Sequence, residues 1–511
     1  MSEIAKWFSN KSVFVTGATG FIGKCLVIKL LRDCPDIDTI YIVIRSKKNM
    51  TFEQRKNEYK SHVAFSHLKN TNPSALDKIH IIEGDICEPN LGMSESNRKL
   101  ITERVSVIVH SAADVRFDRR LIEAYKTNVD GSKNVLDFAT EFKRLLAFVL
   151  VSTAFSQVHD MKLEEKPYKS PICPELLNRI IENVDEDILD ILTPKLLGQY
   201  PNTYGYTKSI IEQLVYNYSD KLPTAIARPP IVISAWKEPL IGYTEGIHGI
   251  NGWCLASGSG VLRSMLCQHN LPCNVMPADI CANGIIVLAF ECGKRQQKRF
   301  DEQNESKTEE NTLQTAKQFE EPIYFNITEE NPLTWEQYVE FLVKPNNAKV
   351  PYNLALWHPG GSFKKNRFYN YICIVLFQIL PALLVDLLLI LVRHPPFLLR
   401  VQRTIIQAAN VLEYYMNEKF VFVSDNYNSV CGALNKIDRE IYYDRTTMDV
   451  DNYCYNAAFG TKLYLVKEKV EDIPTALAFH RRLWFLDVFT KSFFTYWIVQ
   501  KLLSYFNVSI Y

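Results

Sequence analysis

The sequence predicts an α/β protein with a doubly wound parallel sheet, followed by a mainly helical domain and an apolar tail. Three observations point there. Short apolar runs alternate with helical segments up to about residue 345. A glycine turn, Gly17 to Gly23, joins the first run to the first helix. Beyond residue 346 long apolar and aromatic stretches take over.

The runs come in order. Ser12 to Thr16 is a five-residue apolar run stopped by Gly17, and a helical stretch follows from Phe21 to Leu31. Further runs lie at 39–44, 79–82, 105–110 and 147–151, at Ala225 onward, and at 322–327. Buried runs this short, separated by helical segments, indicate βαβ units, and right-handed crossovers place helices on both faces. Residues 293–321 are rich in Lys, Gln, Glu, Asn and Thr and predict a solvated, disordered insertion. The domain boundaries expected from these patterns are 1–345, 346–466 and a tail, 479–511.

Composition narrows the function. Lys plus Arg number 58 and Asp plus Glu 57, so the net charge of +1 lacks the basic excess of a nucleic-acid binder. The 12 cysteines show no CxxC spacing, which suits free thiols in a reducing compartment. Met1 to Asn10 lack the basic-then-apolar pattern of a signal peptide. The segment Tyr371 to Val392 is apolar and long enough to cross a bilayer, but it contains Pro381 and Asp386. Spanning, lying in the interface and lining an acyl tunnel all remain open for it. The tail pairs His480, Arg481 and Arg482 with an aromatic run, Phe493 to Phe506, as interfacial helices do. Ser509-Ile510-Tyr511 matches neither a common retention signal of the endoplasmic reticulum nor a peroxisomal one.

Gly17-Ala18-Thr19-Gly20-Phe21-Ile22-Gly23 sits between strand and helix, where a dinucleotide pyrophosphate binds. Gly17 permits the turn, Gly20 lets backbone approach phosphate, and Gly23 lets helix pack on strand. Arg45 ends the second run where an NAD site carries an acid. A guanidinium there suits a 2′-phosphate, so NADPH is expected over NADH, with Lys47 and Lys48 adding charge. Asp85 follows the third run and could accept from the adenine amino group. Tyr204 and Lys208 are four apart and share a helix face, so the ammonium can lower the phenol pKa for proton donation. Tyr206 lies off that face. A hydroxyl at the end of the fifth run, Thr153 first and Ser152 second, could bind the substrate oxygen.

Taken together these residues resemble an extended short-chain dehydrogenase/reductase with a Rossmann-type sheet. The runs Thr16 to Lys24, Val151 to Phe155, Asn202-Thr203-Tyr204, Arg228 to Val232, Ser234 to Pro239 and Asn331 to Trp335 resemble a fatty acyl-CoA reductase. Leu380-Pro381-Ala382 and Asp386 are similar to that family's C-terminal region. The resemblance implies NADPH-dependent reduction of a long-chain acyl-CoA to a fatty alcohol and coenzyme A, through an aldehyde. It implies catalytic Thr153, Tyr204 and Lys208. It also implies cofactor contacts by Gly17, Thr19, Gly20, Phe21, Ile22, Gly23, Arg45, Asp85, Asn128 and Lys208, with Asn128 supporting Lys208 through water. Asp451-Asn452-Tyr453 and Gly460-Thr461-Lys462 depart from the family pattern. The expected partners are the acyl-CoA and membrane lipid. The expected place is a membrane facing the cytosol, that of the endoplasmic reticulum before the peroxisome. Rival readings are a dehydrogenase for a sugar-nucleotide or steroid, and a membrane-attached NADP-binding protein without activity.

Overall fold

The computed structural model describes residues 2–46, 49–157, 161–247, 249–306, 321–343 and 349–505. Its main sheet has seven strands: β1 Ser12–Thr16, β2 Ile40–Ile44, β3 Ile79–Glu83, β4 Val105–His110, β5 Ala147–Val151, β6 Thr224–Arg228 and β7 Ile323–Asn326. Every pairing is parallel, in the order β7-β6-β5-β4-β1-β2-β3. Each strand coincides with an apolar run of the sequence. All residues of β1, β2, β5 and β6 are buried. Strands covered on both faces read as unbroken apolar runs, which is why they are legible without alternation. The strand order reverses between β1 and β4, and a ligand crevice opens beyond the strand ends at such a reversal.

Three helices of this unit matter below: α1 Phe21–Asp33, α2 Thr203–Asn217 and α3 Ala278–Ser306. α3 packs on α1 and on β5. It also corrects an expectation, because residues 293–306 continue this helix and do not begin a disordered insertion. Their composition favours a solvated helix, supported by the i,i+4 pairs Arg295–Glu291 and Lys298–Glu302. The rest of that segment, 307–320, lies outside the described residues, as do Lys47 and Lys48.

Packing divides the chain into two compact units, and they interleave along the sequence. The first holds 1–243, 274–332 and 419–448; the second holds 244–273, 333–418 and 449–511. A single boundary at 345/346 misses this exchange. Residues 419–448 belong to the first unit because Val421–Phe422 pairs with Lys162–Leu163 and Tyr427 packs on Phe325 of β7. Residues 244–273 belong to the second because Ser264–Leu266 pairs with Ser362–Lys364. Lys462, at one of the departures from the family pattern, is fully buried there and paired with Glu468 at 2.6 Å.

Three helices shape the second unit: α4 Arg367–Leu391, α5 Leu398–Asn417 and α6 Ile473–Tyr505. Among the described residues α4 is the helix long and apolar enough to cross a membrane, and 17% of its apolar window is buried. Its buried positions are Asn370, Cys373, Gln378, Ala382 and Asp386. The five-residue step from Cys373 to Gln378 spans a π-helical turn, Val375–Ile379, which keeps Gln378 on the inner face. Pro381 follows directly, at the start of the next α-helical stretch. Asp386 accepts the backbone N–H groups of Phe397, Leu398 and Leu399 and so caps α5. Gln378 accepts the N–H groups of Arg263 and Ser264, both at 2.9 Å. Polar side chains thus face inward while Phe377, Leu384, Leu388 and Leu391 face out.

α6 begins six residues before the expected tail. Ala476, His480, Leu483 and Asp487 form one buried stripe, and every residue from Lys491 to Leu502 is exposed. That stretch includes Phe493, Phe494, Tyr496, Trp497 and Ile498.

Candidate active site

The glycine turn takes the conformation its residues require. Gly17 has φ +73°, and a Cβ there would lie 2.5 Å from the Ala112 backbone nitrogen. A Cβ on Gly23 would lie 2.3 Å from the Gly17 carbonyl oxygen. Neither position tolerates a side chain. Gly20 is the N-cap of α1 and has no side chain to satisfy the amides of the first turn, so Phe21, Ile22 and Gly23 present a helix N-terminus suited to an anion. The Lys24 ammonium donates to the Thr19 carbonyl at 2.5 Å, which fixes the turn from below. An uncapped N-terminus behind a glycine cradle fits a pyrophosphate.

Arg45 and Asp85 lie just beyond the carboxyl ends of the neighbouring strands β2 and β3 and face each other, with Nη1 and Oδ2 3.8 Å apart. The Arg45 side chain is 61% exposed, so the guanidinium remains accessible to a ligand. Asp85 also accepts the Cys87 N–H at 3.1 Å.

The catalytic candidates come together at the carboxyl end of β5. Asn202 accepts the Gly205 N–H at 2.9 Å and starts α2. Lys208 is buried, donates to the Val151 carbonyl at 2.8 Å, and its ammonium lies 6.0 Å from the centre of the Tyr204 ring. Burial lowers the Lys208 pKa to about 8, with the Glu212 carboxylate acting against it. The group is therefore still mostly charged at neutral pH. Tyr204 is partly exposed and packs edge-on against Phe117. Tyr206 is fully buried, its hydroxyl has no hydrogen-bond partner among the described residues, and burial pushes its pKa up to about 12. It is a core residue.

The two hydroxyls at the end of β5 have different fates. Ser152 donates to Glu212 at 2.6 Å, within the core. The Thr153 oxygen accepts the Phe155 N–H at 3.2 Å, which leaves its proton uncommitted in that turn. Asn128 is completely buried and bonds both ways to Asp114, accepting its N–H at 2.7 Å and donating to its carbonyl at 3.1 Å. It also donates to the Thr207 hydroxyl at 3.0 Å, so it ties α2 to the loop after β4 one residue before Lys208.

Two buried polar networks lie outside the site residues expected from the sequence. The first is Glu212 with Arg228, both buried and joined through Nε–Oε1 at 3.0 Å and Nη2–Oε2 at 2.7 Å. Glu212 is four residues after Lys208 and eight after Tyr204, so helical spacing alone could have found it. The second is a relay. Ala112 N–H donates to Thr16 Oγ1 (3.3 Å), Thr16 donates to His110 Nδ1 (2.7 Å), His110 Nε2 donates to Ser132 (2.8 Å), and Ser132 donates to the Asn128 carbonyl (2.5 Å). Ser132 commits its single proton to Asn128, so Nε2 carries a ring proton; with the imidazole neutral, Nδ1 takes the Thr16 proton. Burial, then the Lys208 charge, lowers the His110 pKa to about 3, in agreement.

Family models described as male sterility protein match residues 15–285 and 377–468. Fatty acyl-CoA reductase wat of Drosophila melanogaster is 31% identical over 510 residues, covering 99% of this chain and 94% of its own. The chain belongs to the fatty acyl-CoA reductase family. Human fatty acyl-CoA reductase 1 is 30% identical over 479 residues, with 93% of this chain and 88% of its own covered. Among solved structures, the terminal R domain of the myxalamid pathway superposes with TM-score 0.56 at 17% identity, covering 90% of this chain and 92% of its own. The R domain of a nonribosomal peptide synthetase from Mycobacterium tuberculosis gives 0.56 at 16%, with the same coverage. These structures share the fold. As a family member the chain is an oxidoreductase with a Rossmann-type site for a nicotinamide dinucleotide.

Proposed function

We propose that the protein reduces a long-chain fatty acyl-CoA to fatty alcohol and coenzyme A, through an aldehyde, with NADPH. The observation that carries this is the buried Lys208 ammonium, anchored on the Val151 carbonyl beneath Tyr204, in a chain of the fatty acyl-CoA reductase family. The first turn of α1 would hold the pyrophosphate and Arg45 the 2′-phosphate. Bound there, NADPH supplies one hydride to the acyl carbon in each of two reductions.

The chain's own groups handle oxygen and protons. In the first reduction Thr153 and Tyr204 donate hydrogen bonds to the oxyanion that replaces the thioester carbonyl. The oxyanion collapses to aldehyde, the C–S bond breaks, and the coenzyme A thiolate leaves and takes up a proton. In the second, Tyr204 protonates the alkoxide as the alcohol forms. Lys208 stabilises the phenolate left behind until solvent restores its proton. Asn128 and Glu212 are positioning residues for α2.

The outward apolar faces of α4 and of α6 beyond Lys491 support attachment to a membrane. The test incubates detergent-purified full-length protein with NADPH or NADH and acyl-CoAs of graded length. Long-chain alcohol and two oxidised cofactors per acyl group are expected. Absence of both aldehyde and alcohol with every acyl-CoA rejects the reading, and accumulation of aldehyde alone rejects the second step.

A further inference from the structure

Within the second unit lies a partly open cavity of about 340 Å³ that the catalytic constellation does not use. Its apolar wall includes Trp253, Met265, Val339 and Phe363; Arg263 and His358 contribute polar groups. The rings of Trp253 and Phe363 stack at 5.7 Å with an interplanar angle of 15°. The guanidinium is already committed, donating to the His358 carbonyl at 2.7 Å and facing Asp487 at 3.4 Å. It therefore offers little free charge to an anionic ligand. His358 Nδ1 is buried without a hydrogen-bond partner among the described residues.

The cavity adjoins the apolar helix. Arg263 and Ser264, which line it, hold Gln378 on the inner face of α4 through their backbone N–H groups. The rest of α4 exposes Phe377, Leu380, Leu384 and Leu388. On the membrane-attached reading of α4, a ligand dissolved in the surrounding apolar phase arrives beside this wall. The size sets the ligand's scale: an apolar cavity of ~150 Å³ holds one six-carbon ring, so this one takes roughly a dozen carbons.

We infer that this cavity binds the hydrocarbon chain of a single-chain lipid. The chain has two sources, the acyl group of the substrate or a separate membrane amphiphile. Assignment to the substrate rests on the reductase reading; binding of a hydrocarbon does not.

The test uses full-length protein in detergent and 12-bromododecanol, whose bromine quenches tryptophan at contact. Quenching that disappears in Trp253→Phe is expected, and Ser257→Phe or Val339→Phe, which add bulk to the wall, should weaken it at least tenfold. No Trp253-dependent quenching, or quenching indifferent to both bulky variants, overturns the inference. Chain-length profiles of reduction separate the sources. An optimum two or more carbons shorter in Val339→Phe, and longer in Val339→Ala, assigns the cavity to the substrate. Lost quenching with an unchanged profile assigns it to a separate lipid. Val339→Ala works in the opposite direction, so misfolding of a bulky variant cannot imitate the result. The quenching arm needs no turnover: quenching without reduction of any acyl-CoA rejects the reductase reading and leaves the cavity assigned.

Discussion

Glu212→Gln keeps the shape of a buried side chain and removes its charge. Both carboxylate oxygens are acceptors in the structure: Oε1 takes Ser152 and Arg228 Nε, and Oε2 takes Arg228 Nη2 and Gln157. A glutamine offers one oxygen. Whichever way its amide turns, an NH₂ group faces donors on the other side. Arg228 is fully buried, and its other partners are uncharged: the carbonyls of Glu164 and Lys166 and the rings of Tyr324 and Tyr168. Removing one partner of such a pair costs ~3–5 kcal/mol, against a total stability of ~5–15 kcal/mol for a domain. We expect that loss for the cofactor-binding unit, read by denaturant unfolding of the full chain followed through cofactor fluorescence. The double variant Glu212→Leu with Arg228→Met, which buries no charge, should recover most of it. A loss below about 1 kcal/mol for Glu212→Gln, or a double variant worse than either single one, refutes the argument that this pair is a desolvated, mutually dependent unit.

Tyr204→Phe should lower the rate of alcohol formation by ~10²–10⁴-fold with cofactor binding retained. Tyr206→Phe, which deletes an unpartnered hydroxyl, should leave the rate within about twofold and stability equal or higher. Arg45→Asp should raise KM for NADPH at least tenfold and spare NADH, measured by initial rates with each cofactor. Acid stability should follow His110. Its folded pKa of about 3 lies below the ordinary value of 6.5, so the unfolded chain binds the extra proton between these limits and stability falls as pH drops through them. At ~1.4 kcal/mol per unit the loss approaches about 5 kcal/mol, and unfolding titrations of His110→Gln should show a shallower acid limb.

Much of the fold was legible because its strands are buried on both faces. A strand such as β5, Ala-Phe-Val-Leu-Val, has no polar side to confuse with a helix, and the glycine turn announces the first crossover. The boundaries were less legible. Residues 419–448 rejoin the first unit through a two-residue strand pair and the packing of Tyr427, contacts between positions far apart that no local pattern records. The polar stretch after Gly293 misled because solvated helix and disorder share a composition. At the candidate site, the nearness of Tyr204 and Lys208 was readable from their spacing. The different partners of Ser152 and Thr153 were not, because Glu212 claims the serine hydroxyl across the helix–sheet interface. The part of Asn128 in holding Thr207 was likewise hidden, since the two are 79 residues apart.

One physical rule accounts for polar groups in two different settings. In the first unit Glu212 and Arg228 are tolerated in an apolar core because each hydrogen bond of the carboxylate is met. In α4 the same condition appears with the surroundings reversed. Asp386 looked incompatible with an apolar environment because an unsatisfied carboxylate in hydrocarbon costs several kcal/mol. Its oxygens instead take three backbone N–H groups at the start of α5, donors that would themselves be orphaned there. The carboxylate and the helix terminus satisfy each other, and Gln378 does the same for two N–H groups of the Arg263 strand. A water-soluble helix would carry these polar residues outward and Leu384 and Leu388 inward. The opposite placement follows if the medium outside α4 is apolar. On that argument Asp386 is the residue that makes an apolar exterior at α4 compatible with the turn into α5.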